Sequence, residues 1–138
     1  MNQDGNGDAI VLGAAGIGNS SYSELSVLLG RGDFGFNPGT RVYLPRLAFG
    51  AEQVRYADVD GDTLGDILVS EGGGRIEILR GRSGGEFASP EHVAAGTSGD
   101  FMVSDLNGDG WADLVAVANE PVPIIMILPN RSAAGNGK

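Results

Sequence analysis

The sequence contains no cysteine and a single histidine, His92. The first absence excludes disulfides, thiolate metal sites and cysteine nucleophiles. The second leaves zinc and copper without the imidazole and thiolate ligands they prefer. Basic residues are scarce, 9 lysines and arginines against 18 aspartates and glutamates, so the footprint that nucleic acid requires is missing. No apolar run approaches the roughly 20 residues of a membrane span, and no membrane insertion is expected. The opening "MNQDGNGDAI" has neither the basic nor the apolar region of a signal peptide. No stretch keeps a 3.6-residue period over roughly eleven residues, so no helix is expected. Nor is there a nucleophile elbow, a phosphate loop or an HExxH motif, and no enzyme activity is expected within these residues.

Glycine and aspartate are what the chain has in quantity. Its 24 glycines in 138 residues follow no collagen period. They suit many short strands joined by tight turns. Of the eleven aspartates, nine fall in three clusters: Asp4 and Asp8; Asp58, Asp60, Asp62 and Asp66; Asp105, Asp109 and Asp113. Without those nine the chain is neutral, so its net charge of −9 is a property of three short segments.

The three segments are copies of one another. "DVDGDTLGDILVS" (58–70) and "DLNGDGWADLVAV" (105–117) share a frame. "NQDGNGDAIVL" (2–12) fits it from the third position onward. The text that follows also repeats, as "ELSVLLGRGDFGFNPG", "RIEILRGRSGGEFASP" and "IMILPNRSAAGNG". Gly30 falls on Gly81, Arg31 on Arg82 and Phe36 on Phe87; the third copy keeps Arg131 and Ser132 but reaches no matching aromatic. Three repeats result, 1–57, 58–104 and 105–138, the first lengthened by an insertion around "GIGNSSYS". Short β-branched and aromatic runs bounded by Gly, Pro, Asn and Asp read as strands. The pattern predicts an all-β protein built of antiparallel β-propeller blades, about two and a half of them, a partial propeller.

Arg31-Gly32-Asp33, a tripeptide that cell-adhesion ligands offer to integrins, sits where the sister repeat has Arg82-Ser83-Gly84. It is read as a glycine-containing hairpin turn.

Acidic side chains at positions 1, 3, 5 and 9 of a nine-residue loop repel one another unless a cation binds them. Calcium accepts six to eight hard oxygen ligands at about 2.3–2.6 Å in adaptable geometry, while magnesium demands a near-ideal octahedron. The second loop offers the side chains of Asp58, Asp60, Asp62 and Asp66 and the Leu64 carbonyl. The third offers Asp105, Asn107, Asp109 and Asp113 and the Trp111 carbonyl. The first offers Asn2, Asp4 and Asp8 and the Asn6 carbonyl, without a leading aspartate. Two complete calcium sites and a third partial one are therefore expected. An EF-hand would need a glutamate at position 12, where Val69 and Ala116 stand, and flanking helices instead of strands.

These loops, each followed by "VLLGRGDFGF"-like text, resemble FG-GAP/VCBS-type repeats. Such repeats build the propeller of integrin α-subunits, of lectins and of accessory domains of secreted enzymes. The resemblance implies that each loop joins the first and second strands of a blade and holds calcium. It also implies an extracellular or cell-surface binding or scaffold module whose partner is a glycan or a protein. The alternative is an accessory part of a secreted polysaccharide-active enzyme. Because such propellers usually have about seven blades, further blades or self-association are expected to close the ring. Trp111 is expected to lay its ring on the neighbouring unit instead of on a sugar. His92 is expected on the surface of an outer strand, and Tyr22, Tyr43 and Tyr56 in strand packing. "NRS" at 130–132 has the form of a glycosylation acceptor.

Overall fold

A computed structural model describes residues 1–17, 20–44, 51–71, 75–94, 100–118 and 124–129. Asn130–Ser132, the glycosylation triplet, lies outside them. The described residues are all-β and antiparallel, with one 3-10 turn at Ser83–Gly85 and no other helix. No helix among them is long and apolar enough to cross a membrane.

Among the described residues, ten strands form three principal sheets and two more form a small ribbon. The first is β1 (Ala9–Ile17), β2 (Ser20–Gly30) and β3 (Phe36–Leu44), hydrogen-bonded in that order. The second is the four-stranded meander β4 (Ala51–Ala57), β5 (Asp66–Glu71), β6 (Arg75–Leu79) and β9 (Glu91–Ala94). A two-residue ribbon, β7 (Gly81–Arg82) with β8 (Glu86–Phe87), decorates the β6–β9 connection. The third is β10 (Phe101–Ser104), β11 (Asp113–Ala118) and β12 (Ile124–Leu128). The sheets begin one strand before the sequence repeats do, because β4 closes repeat 1 but pairs with β5 of repeat 2. The insertion in repeat 1 lengthens the β1–β2 hairpin, which stays paired out to Ile17 and Ser20.

The second sheet lies between the other two. Ile67, Val69 and Leu79 pack with Leu25, Val27 and Leu44 of the first sheet. Leu68, Ile76 and Ile78 pack with Phe101, Leu114 and Ala116 of the third. Successive side chains of a strand point to opposite faces, so a strand covered on both faces needs apolar residues in succession. That is why "DILVS" shows no alternation: Ile67, Leu68 and Val69 are all fully buried. Burying side chains of that size contributes about 1.5–3 kcal/mol each.

The Arg31-Gly32-Asp33 tripeptide is the turn between β2 and β3, with the Arg31 N–H donating to the Gly35 carbonyl at 3.0 Å. Its two charged side chains pair with each other, Arg31 Nε to Asp33 Oδ1 at 3.2 Å. His92 is exposed on β9, as expected. Tyr43 and Tyr56 are about half exposed; Tyr43 stands beside Glu24 on the outward face of the first sheet, and the Tyr56 ring lies against Gly65. The Tyr22 side chain is outside the described set.

Candidate metal centre

Each aspartate cluster lies at a strand junction. Residues 58–65 join β4 to β5 and residues 105–112 join β10 to β11; residues 1–8 lead into β1. All three loops bend the same way. Backbone φ is positive at the fourth and sixth positions of each: Gln3 (61°) and Gly5 (87°), Gly61 (77°) and Thr63 (72°), Gly108 (77°) and Gly110 (90°). Such angles are at home in glycine and cost an L-residue roughly 1–2 kcal/mol. Thr63 is β-branched and exposed. Thr63→Gly is therefore expected to stabilise the protein by about 1 kcal/mol, set against glycine's greater unfolded-state entropy. Urea denaturation reads this directly, and a loss of stability would contradict the shared loop geometry.

The bends are held by carboxylates that accept backbone N–H groups. In the second loop Asp58 accepts from Gly61 at 2.7 Å and from Thr63 at 2.9 Å. Asp60 accepts from Asp62 at 3.3 Å, and Asp62 from Leu64 at 2.8 Å. The third loop repeats this. Asp105 accepts from Gly108 at 2.7 Å and Gly110 at 2.9 Å, Asn107 from Asp109 at 2.8 Å, and Asp109 from Trp111 at 2.9 Å. In the first, Asn2 accepts from Asp4 at 3.3 Å and Asp4 from Asn6 at 2.8 Å. The Asn2 amide also donates to Asp4 at 2.9 Å.

The last aspartate of each loop acts differently from the others. Asp66 is fully buried; its Oδ2 accepts the Val59 N–H at 3.0 Å and its Oδ1 the Gly81 N–H at 2.8 Å. Asp8 does the same with Asn2 at 3.3 Å and Gly30 at 2.9 Å. Asp113, also buried, accepts from Leu106 at 3.0 Å. Asp8 and Asp66 thus tie their loops to the turn at the far end of the next hairpin. Gly30 and Gly81 are required there, because a Cβ on either would run into the carbonyl of Gly7 or Gly65.

Ligand oxygens of Asp58, Asp60 and Asp66 lie within 4.8 Å of one another. Two oxygens bound to one ion at about 2.4 Å can be at most about 4.8 Å apart, so this spacing suits a single cation. Each carboxylate offers about four lone-pair sites, and the N–H bonds leave some free for metal. These three residues can hold a divalent cation. Asp62 and the Leu64 carbonyl belong to the same loop but lie outside this cluster of three. The ligands expected in the other loops, Asn2, Asp4, Asn6 and Asp8, and Asp105, Asn107, Asp109, Trp111 and Asp113, stand in the matching bends described above.

The electrostatics differ between the loops. Burial, followed by the neighbouring Asp66 charge, raises the Asp60 carboxyl above the usual range. Arg80 answers part of that charge, its Nη1 lying 3.5 Å from Asp60 and 3.5 Å from Asp66. The Gly110 N–H lowers Asp105, and the Asn6 N–H lowers Asp4. Arg80 had no signal in the repeat pattern, since its counterparts are Leu29 and Pro129.

Adjacent loops touch. The Trp111 ring covers Gly61 of the preceding loop so closely that a Cβ there would collide with it, as expected from its position. The Gln3 amide reaches the Thr63 carbonyl at 3.4 Å. All three loops therefore lie side by side, at the same edge of their three sheets. Part of this arrangement is similar to a known family model. Residues 58–116 match the family model of the FG-GAP-like repeat. That segment runs from the second loop through β11 and contains both aspartate loops that keep their leading residue. Comparison with curated proteins and with solved structures found no match.

Proposed function

We propose that the chain is a calcium-stabilised β-propeller module of an extracellular protein, with a binding or scaffold role toward a glycan or another protein. The supporting observation is the second loop, where three carboxylates gather around a volume that fits one hard cation. The equivalent bend in the other two loops extends that reading to the whole stack. Calcium is favoured over magnesium because these oxygens belong to an open loop, not a closed octahedral cage. Extracellular calcium modules bind at about 10⁻⁴–10⁻³ M, which suits secretion. Three stacked antiparallel sheets, two of them with an aspartate loop between their first and second strands, support a reading as successive propeller blades.

The role of calcium in this reading is structural. It neutralises the loop and fixes the ends of β4 and β5, leaving the edge of the sheets opposite the loops for ligand. A glycan array probed with and without calcium tests the recognition part. Selective signal that disappears with chelator supports a lectin-like module. A blank array in calcium would move the function to protein scaffolding.

A further inference from the structure

We infer that the outer faces of the first and third sheets form one complementary interface, and that a second copy of this chain occupies it head to tail. The inference rests on the stacked-sheet reading and not on calcium. Strand registers place equivalent residues unambiguously: Ile67 pairs with Leu79, Leu114 with Leu128 and Ala9 with Leu28, each next to the last aspartate of its loop. On the second sheet, Val59, Leu68, Ile76 and Ile78 form the face buried under the third sheet. Their equivalents on the third sheet are Leu106, Val115, Ile125 and Ile127. Nothing in the chain's described residues covers them: Ile125 is 72% exposed, Ile127 54% and Leu106 51%.

The other end of the stack shows the converse. On the second sheet, Ile67, Val69, Leu79 and Phe87 pack against the first sheet. Their equivalents on the first sheet, Ala9, Val11, Leu28 and Phe36, face outward, Val11 46% and Phe36 47% exposed. Both faces also carry a charged pair. Glu24 accepts from Ser26 and pairs with Arg41 at 2.9 Å on the first sheet. On the second, Arg75 stands at the place of Glu24 and Glu77 at that of Ser26, and the two pair at 3.0 Å with Glu77 largely buried at the packed interface. A charged pair on this face is thus compatible with stacking.

Each open face is therefore of the kind that already meets its complement inside the chain. The first sheet of one copy can sit on the third sheet of another as the second sheets sit on their neighbours. Such a contact is heterologous, and repeated it gives a closed ring or an open filament. A second copy of this chain carries both faces and so supplies the matching sheet for each.

Sedimentation of the wild type, of Ile125→Asp, of Val11→Asp and of an equimolar mixture of the two variants tests this. The wild type is expected to exceed the mass of one chain as concentration rises. Each variant, having one intact face, is expected to stay a single chain. The mixture is expected to return a two-chain species that grows no further, because it joins the one good face of each. Cooperative melting of each variant, with its calcium response, shows that the fold is intact and separates this result from the calcium reading. Ile127→Asp replaces Ile125→Asp if the latter fails to fold. A wild type that stays a single chain at every concentration would overturn the proposal. So would a Val11→Asp protein that still self-associates, which would mean contact between two third sheets, or a mixture that remains monomeric.

Discussion

Asp66→Ala is expected to remove about 3–5 kcal/mol of stability. The side chain is fully buried and accepts two backbone N–H groups, from Val59 before β5 and from Gly81 after β6. Alanine leaves both donors without an acceptor, at about 1–3 kcal/mol each, and these are charge-assisted bonds. It also leaves Arg80 facing Asp60 alone. Against a typical domain stability of about 5–15 kcal/mol, the loss is a large fraction of the total. Asp66→Asn keeps one acceptor oxygen and is expected to lose roughly half as much. Asp33→Ala, an exposed turn residue, is expected to stay within about 0.5 kcal/mol of wild type. Urea denaturation of the three variants reads the series. An Asp66→Ala protein as stable as Asp33→Ala would show that the loop-to-turn tie carries no weight.

That aspartate also marks where the sequence could and could not be read. Its place at the head of an apolar strand was legible from three copies, and so was the strand itself. The uninterrupted run Ile67, Leu68 and Val69 reflects burial on both faces, a requirement visible as soon as the residues are written down. The role of Asp66 was only partly legible. As an oxygen near a metal it follows from spacing; as an acceptor for Gly81 it depends on how far β6 carries the chain back. The alignment of Gly30 with Gly81 held the signal, since both glycines approach the backbone of the loop before them. The strain at Thr63 was not legible from that residue alone. A β-branched residue gives no hint of a positive φ, and only the copies with Gly5 and Gly110 at that position reveal it. Arg80 is peculiar to its repeat, so repetition could not find it.

Melting in calcium against chelator tests the central claim most directly. Asp58, Asp60 and Asp66 concentrate negative charge in one bend, and Arg80 offsets part of it. A cation that binds only the folded loop adds RT ln(1 + [Ca]/Kd), about 3 kcal/mol at a hundredfold excess over Kd. For a chain of this length that corresponds to a rise in Tm of roughly 10 °C. Magnesium at the same concentration is expected to give a smaller rise, since the loop offers no octahedral cage. A calcium-dependent Tm that falls back on adding chelator, and that is blunted in Asp58→Asn, is the predicted result. A Tm identical in calcium and in chelator would contradict it.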